Sequence, residues 1–128
     1  MPALDRVRGL RVVADAAALD AARWTGDTVT NLRFAPDEAL AIGATAAGID
    51  DEQLIIEDES GFVGGWVDLA DVSPHIEWRL PTARPTLAQG SIAGVPAKLW
   101  IPTDDGTGFL VVAAAYADEI TERLGWDR

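Results

Sequence analysis

The sequence has no cysteine, one histidine (His75), one lysine (Lys98), one methionine and one tyrosine. The first absence removes a disulfide framework, a thiolate metal site and a cysteine nucleophile. It also fits a reducing cytoplasm. With a lone histidine, any zinc ligands would have to come from scattered carboxylates. No apolar run reaches the roughly 18 residues that a membrane span needs. The first eleven residues alternate charged and apolar side chains, which is not the continuous stretch of a secretion signal. The expectation is a cytoplasmic protein.

Basic residues are scarce as well: ten Lys and Arg face twenty-one Asp and Glu, for a net charge of −11. The imbalance is local. Residues 1–34 hold five Arg and four Asp, whereas residues 35–75 hold ten acids and no Lys or Arg. Such a field repels a duplex backbone and an anionic bilayer, so neither nucleic acid nor membrane is an expected partner. Two readings of the acidic stretch stay open: a solvated face, or a surface that docks on a basic partner.

What is present fits one domain over residues 1–128. Residues 1–27 are Ala-rich. Residues 14–24 read as a helix, since Ala, Leu and Arg lose little freedom there; residues 10–13 could instead be a strand. Residues 28–34 read as a strand. Pro36-Asp37-Glu38 reads as a helix start, with proline and carboxylates at its positive end. Residues 53–56 and 61–69 read as strands, with Gly61, Gly64 and Gly65 hinting at a bulge or close approach. Residues 73–96 carry four prolines and read as irregular. Residues 97–101 and 109–113 read as paired strands around an Asp-Gly loop. Residues 115–124 read as an amphipathic helix, with Tyr116, Ile120 and Leu124 on one face and Gly125 as its stop. The fold class is therefore α+β: a small mixed or antiparallel sheet with packed helices.

No reaction centre emerges. Glu57-Asp58-Glu59 and Asp104-Asp105-Gly106 lack the alternating ligands of a calcium loop. Gly90-Ser91-Ile92-Ala93-Gly94 misses the nucleophile-elbow spacing by one residue. The glycine clusters lack both the phosphate-binding pattern and its following helix. No catalytic residue and no metal site are assigned. The most informative cluster is His75, Glu77, Trp78 and Arg79, continuing through Arg84 and Gln89. It combines aromatic area with guanidinium groups that can anchor an interface or clamp an anion. Trp66 and Trp100 complete the candidate interface or ligand-binding set, because exposed tryptophans mark contact patches. The plainer alternative is that Trp78 is core and the arginines pair with the acidic face.

Four stretches carry a resemblance: Phe34-Ala35-Pro36-Asp37-Glu38-Ala39-Leu40, Ile56-Glu57-Asp58-Glu59-Ser60-Gly61-Phe62, His75-Ile76-Glu77-Trp78-Arg79-Leu80-Pro81, and the run from Arg84 to Lys98. Together they resemble the gamma subunit of heterotetrameric sarcosine oxidase over roughly residues 30–125. That family is in turn similar to part of the folate-binding aminomethyltransferase fold of the glycine-cleavage T-protein. The resemblance implies a non-catalytic accessory subunit of a one-carbon amine-oxidising system, with flavin, NAD and folate held by larger subunits. It implies no cofactor on this chain and heterologous protein subunits as partners, with a homo-oligomer as the alternative. The T-protein's cysteine-containing signature has no counterpart here, so no folate site is carried over. An independent small-molecule module, binding a folate or an anionic metabolite, is the alternative function.

Overall fold

The structure, a computed structural model, describes residues 3–126. Its contacts divide the chain into two compact units: residues 7–61, and residues 62–126 with residues 3–6.

In the unit of residues 7–61, β4 (Glu38–Ile42) lies between β3 (Thr30–Ala35) and β1 (Asp5–Val13, within this unit from Val7), antiparallel to both. A short helix, α1 (Ala16–Asp20), follows β1, and two three-residue strands, β2 (Arg23–Thr25) and β5 (Ala46–Gly48), pair with each other. Leu10 and Val12 alternate into a core that α1 closes with Leu19, which is 2% exposed. Burying each such aliphatic side chain contributes about 1.5–3 kcal/mol.

Two expectations fail here. The helix expected over residues 14–24 is only Ala16–Asp20, and β2 follows it directly. The strand alternative for residues 10–13 holds, within β1. The helix expected from Pro36 is instead strand β4. Ala35 pairs with Glu38, so Pro36 and Asp37 make a two-residue turn. Ala39, Leu40 and Ala41 are all buried, Ala39 and Ala41 in the core that contains Leu19, and β4 is paired on both edges. Pairing and two-sided burial override the helix propensity of Ala and Leu.

In the second unit, the latter half of β6 (Ile55–Asp68) pairs with β9 (Thr107–Ala113), β9 with β8 (Val95–Ile101), and β8 with β7 (Thr86–Ile92), all antiparallel. One face carries Val67, Leu110, Leu99 and Ile92 into a core. Val72 of α2 (Leu69–Val72) and Ile120 of α3 (Ala117–Arg123), each 0% exposed, belong to that core. The expected pairing of residues 97–101 with 109–113 is present. The stretch read as irregular contains β7, whose Gly90 and preceding Pro85 disguise a strand. Tyr116 lies in a 3₁₀ turn before α3 and is exposed, so only Ile120 and Leu124 of the expected helix face meet the core. The fold is predominantly antiparallel sheet with few, short helices.

Candidate functional site

The eight singled-out residues lie in the second unit, and the register of its four strands divides them. Trp66 stands opposite Phe109, Phe109 opposite Trp100, and Trp100 opposite Leu87. Directly opposed residues share a face. This row therefore lies on the side away from Leu110, Leu99 and Ala88, the adjacent core row. Trp66 and Phe109 meet edge to face with ring centroids 5.4 Å apart, and Trp66 is 57% exposed. Gln89, two residues from Leu87 along β7, shares this outer face.

Trp78 lies on the opposite face. Its ring occupies the space where a Cβ on Gly90 would project, 2.6 Å from Cε2. Its indole N–H donates to the carbonyl oxygen of Ser91 at 2.9 Å. The 3₁₀ turn Ser73–His75 is held to the same place, because the Ala93 N–H donates to the His75 carbonyl at 2.9 Å. His75, Glu77 and Trp78 thus line one cleft of about 620 Å³ with Ser91, Ala93 and Gly94. Ala93 and Gly94 form the two-residue turn from β7 to β8, both with positive φ, at 51° and 78°. Such turns match the twist of the flanking strands, and the second position favours glycine. Arg123 Nη1 donates to the Ala93 carbonyl at 2.7 Å and fastens the turn from outside the β-hairpin.

Arg79 and Arg84 do not form a clamp. Arg84 Nη1 donates to the carbonyls of Pro81 and Ala83 at 2.7 and 2.8 Å. Its Nε lies 3.1 Å from Asp104 Oδ1, paired by charge without hydrogen-bond alignment. Arg84 therefore braces its own loop. Arg79 is exposed and has no ion pair among the described residues. Trp66 and Trp100 cannot line one pocket with Trp78, since the sheet separates them. Ser91, Ala93, Gly94 and Arg123 were not singled out for this role by sequence; the Ala93-Gly94 pair between two short apolar runs is the hairpin signal that could have found them.

The chemistry available to the cleft is limited. Among the described residues, the side chains of His75, Glu77 and Ser91 share no hydrogen bond, so no nucleophile–base pair is in place. No group of three or more metal-ligating side chains gathers among the described residues. A half-buried indole, an imidazole and a carboxylate around an open cleft can receive a small polar molecule or a partner's side chain.

The acidic stretch lies largely in the first unit. Arg11 bonds Glu38 through Nε at 2.7 Å and stands 3.5 Å from Glu59. The Glu38 hydrogen bond is the main reason its guanidinium is held above its ordinary pKa. Asp51 accepts the backbone N–H groups of Asp15 and Gln53, at 2.7 and 2.9 Å, which hold its carboxyl below its ordinary range. Glu57 and Asp58 are exposed and have no ion pair among the described residues.

No helix among the described residues is long and apolar enough to cross a membrane. No protein family profile and no curated protein matches the chain. Among solved structures, the fold is similar to a chain of the heterotetrameric sarcosine oxidase from Corynebacterium sp. U-96 in complex with pyrrole 2-carboxylate. The TM-score is 0.72 at 14% sequence identity, over 97% of this chain and 80% of that one, so the likeness is one of fold.

Proposed function

We propose that this chain is a non-catalytic accessory or assembly subunit resembling the gamma subunit of heterotetrameric sarcosine oxidase, acting through protein–protein contact. The observation that carries this reading is the extent of the fold match: nearly the whole chain aligns with a chain only modestly longer, drawn from a heterotetrameric enzyme. In this reading residues 1–128 act as one domain with part of the aminomethyltransferase folate-binding fold. The protein works in the cytoplasm, and flavin, NAD and folate belong to its partners. Affinity purification of the tagged chain from its native organism, followed by sizing, tests the proposal. It predicts stoichiometric recovery of larger flavin-containing subunits, and recovery of the chain alone from gentle lysates would refute it.

The open cleft beside Trp78 leaves a second reading, a small-molecule module for a folate or an anionic metabolite, although neither Arg79 nor Arg84 lines it. A ligand at a hundred times its dissociation constant adds about 2.7 kcal/mol of stability. A thermal-shift series with folates and N-methylated amino acids therefore separates the two readings, and a flat series removes those ligands.

A further inference from the structure

The first half of β6 is built differently from the second. The pairing with β9 begins at Phe62, and among the described residues β1 is the strand beside residues 55–59. Among the described residues, no strand pairs with the other edge of residues 55–59. Both its faces are open as well: Ile55 and Ile56, which alternate to opposite sides, are 54% and 41% exposed, and Glu57 and Asp58 are exposed beside them. At the end of this half, the Gly61 N–H is met by the carboxylate of Glu59 at 2.9 Å, a side chain serving where a neighbouring strand's carbonyl would.

A bare strand edge recruits other strands, and proteins usually blunt it with charge. Here Arg11 of β1 stands beside Glu59 and Arg8 lines a cleft with Asp58, but Glu57 and Asp58 have no ion pair of their own among the described residues. A second copy of this chain would bring Glu57 and Asp58 against themselves, and like charges directly opposite destabilise a pair. A strand carrying Lys or Arg meets the reverse situation. Its backbone completes the ladder, its cations face Glu57 and Asp58, and its apolar side chains cover Ile55 and Ile56. We infer that residues 55–59 form a docking edge for an extended, basic segment of a partner protein, added as an extra β-strand. The inference deepens the reading of the chain as a contact-acting subunit and rests on it.

The test uses the full chain, isotopically labelled, and a synthetic seven-residue peptide in which pairs of Lys and pairs of Val alternate, so that each face of the strand carries both. The expected result is slowed amide exchange confined to β6 residues 55–59, and binding that weakens as salt rises. A peptide of the same charge with alternate backbone nitrogens methylated should bind at least about tenfold more weakly, because charge alone does not complete a ladder. The variant E57K/D58K should lose binding by at least about tenfold, while its unchanged β6–β9 amides show that it folds. Equal binding of the methylated peptide, or protection elsewhere on the chain, overturns the inference. In the native purification, partner recovery that is equal for wild type and E57K/D58K sinks the docking edge and leaves the subunit reading standing. Peptide protection at residues 55–59 with no native partner sinks the subunit reading and leaves the edge.

Discussion

The indole N–H of Trp78 reaches across to the Ser91 carbonyl at 2.9 Å while the same ring fills the space above Gly90. One side chain thereby fixes the proline-rich stretch to β7. W78F keeps most of the apolar contact and loses the hydrogen bond, at an expected cost of about 0.5–1.5 kcal/mol. G90A places a methyl against the ring and should cost about 1–3 kcal/mol as the ring is displaced. Urea unfolding of both variants measures the two effects, and a neutral G90A would show that the ring is not seated there.

The Arg11 cluster should respond differently to loss of the base and loss of an acid. E38Q removes one partner of a half-exposed pair and should cost at most about 1 kcal/mol, shrinking with added salt. R11M leaves Glu38 and Glu59 facing each other without their shared cation, so its cost should exceed that of E38Q at low salt. Thermal melts at low and high salt supply the comparison.

Acid should loosen the β8–β9 hairpin loop through Asp105. Its carboxylate accepts the Thr107 hydroxyl at 2.7 Å and the Thr107 N–H at 2.9 Å, and these bonds, the hydroxyl first, hold it below its ordinary pKa. Between the lowered native value and the unfolded value of about 3.9, the unfolded chain binds more protons. The stabilisation is therefore complete above the unfolded pKa and is lost as pH falls through the native one. D105N keeps an acceptor oxygen without the titration. It should flatten the dependence of stability on pH below about 4, read by denaturant titration across that range.

The end of α3 offers a backbone test. The Gly125 N–H donates to the Glu122 carbonyl and the Trp126 N–H to the Thr121 carbonyl, with Gly125 at φ 77°. This is the paired closing pattern of a helix whose first outside residue turns left-handed. No atom lies within 4 Å of where a Cβ on Gly125 would stand. The cost of G125A is then conformational alone, about 1 kcal/mol, measured by chemical denaturation.

These sites also mark what the sequence could convey. Gly125 and the Asp104–Gly108 loop were legible because the turn chemistry is local. Strand β4 was not: Glu38-Ala39-Leu40-Ala41-Ile42 reads as helix until two neighbouring strands claim its edges, and those neighbours are distant in sequence. β7 was hidden by Gly90, whose missing side chain makes sense only once Trp78 is seen above it. The candidate site was half legible. His75, Glu77 and Trp78 do share a cleft, but strand alternation sends Trp66 and Trp100 to the opposite face, and Arg84 turns back on its own loop. No pattern within residues 73–96 encodes which side of a sheet each would take.

The position of Trp66 gives the molecule an optical gauge of its own. With more than half its surface in water, it is the most exposed of the large apolar side chains among the described residues. Its emission should lie at the red end of the protein's fluorescence and respond to acrylamide before that of the other indoles. Any surface laid over that part of β6 would shift the colour toward the blue, so occupancy there can be followed without attaching a dye.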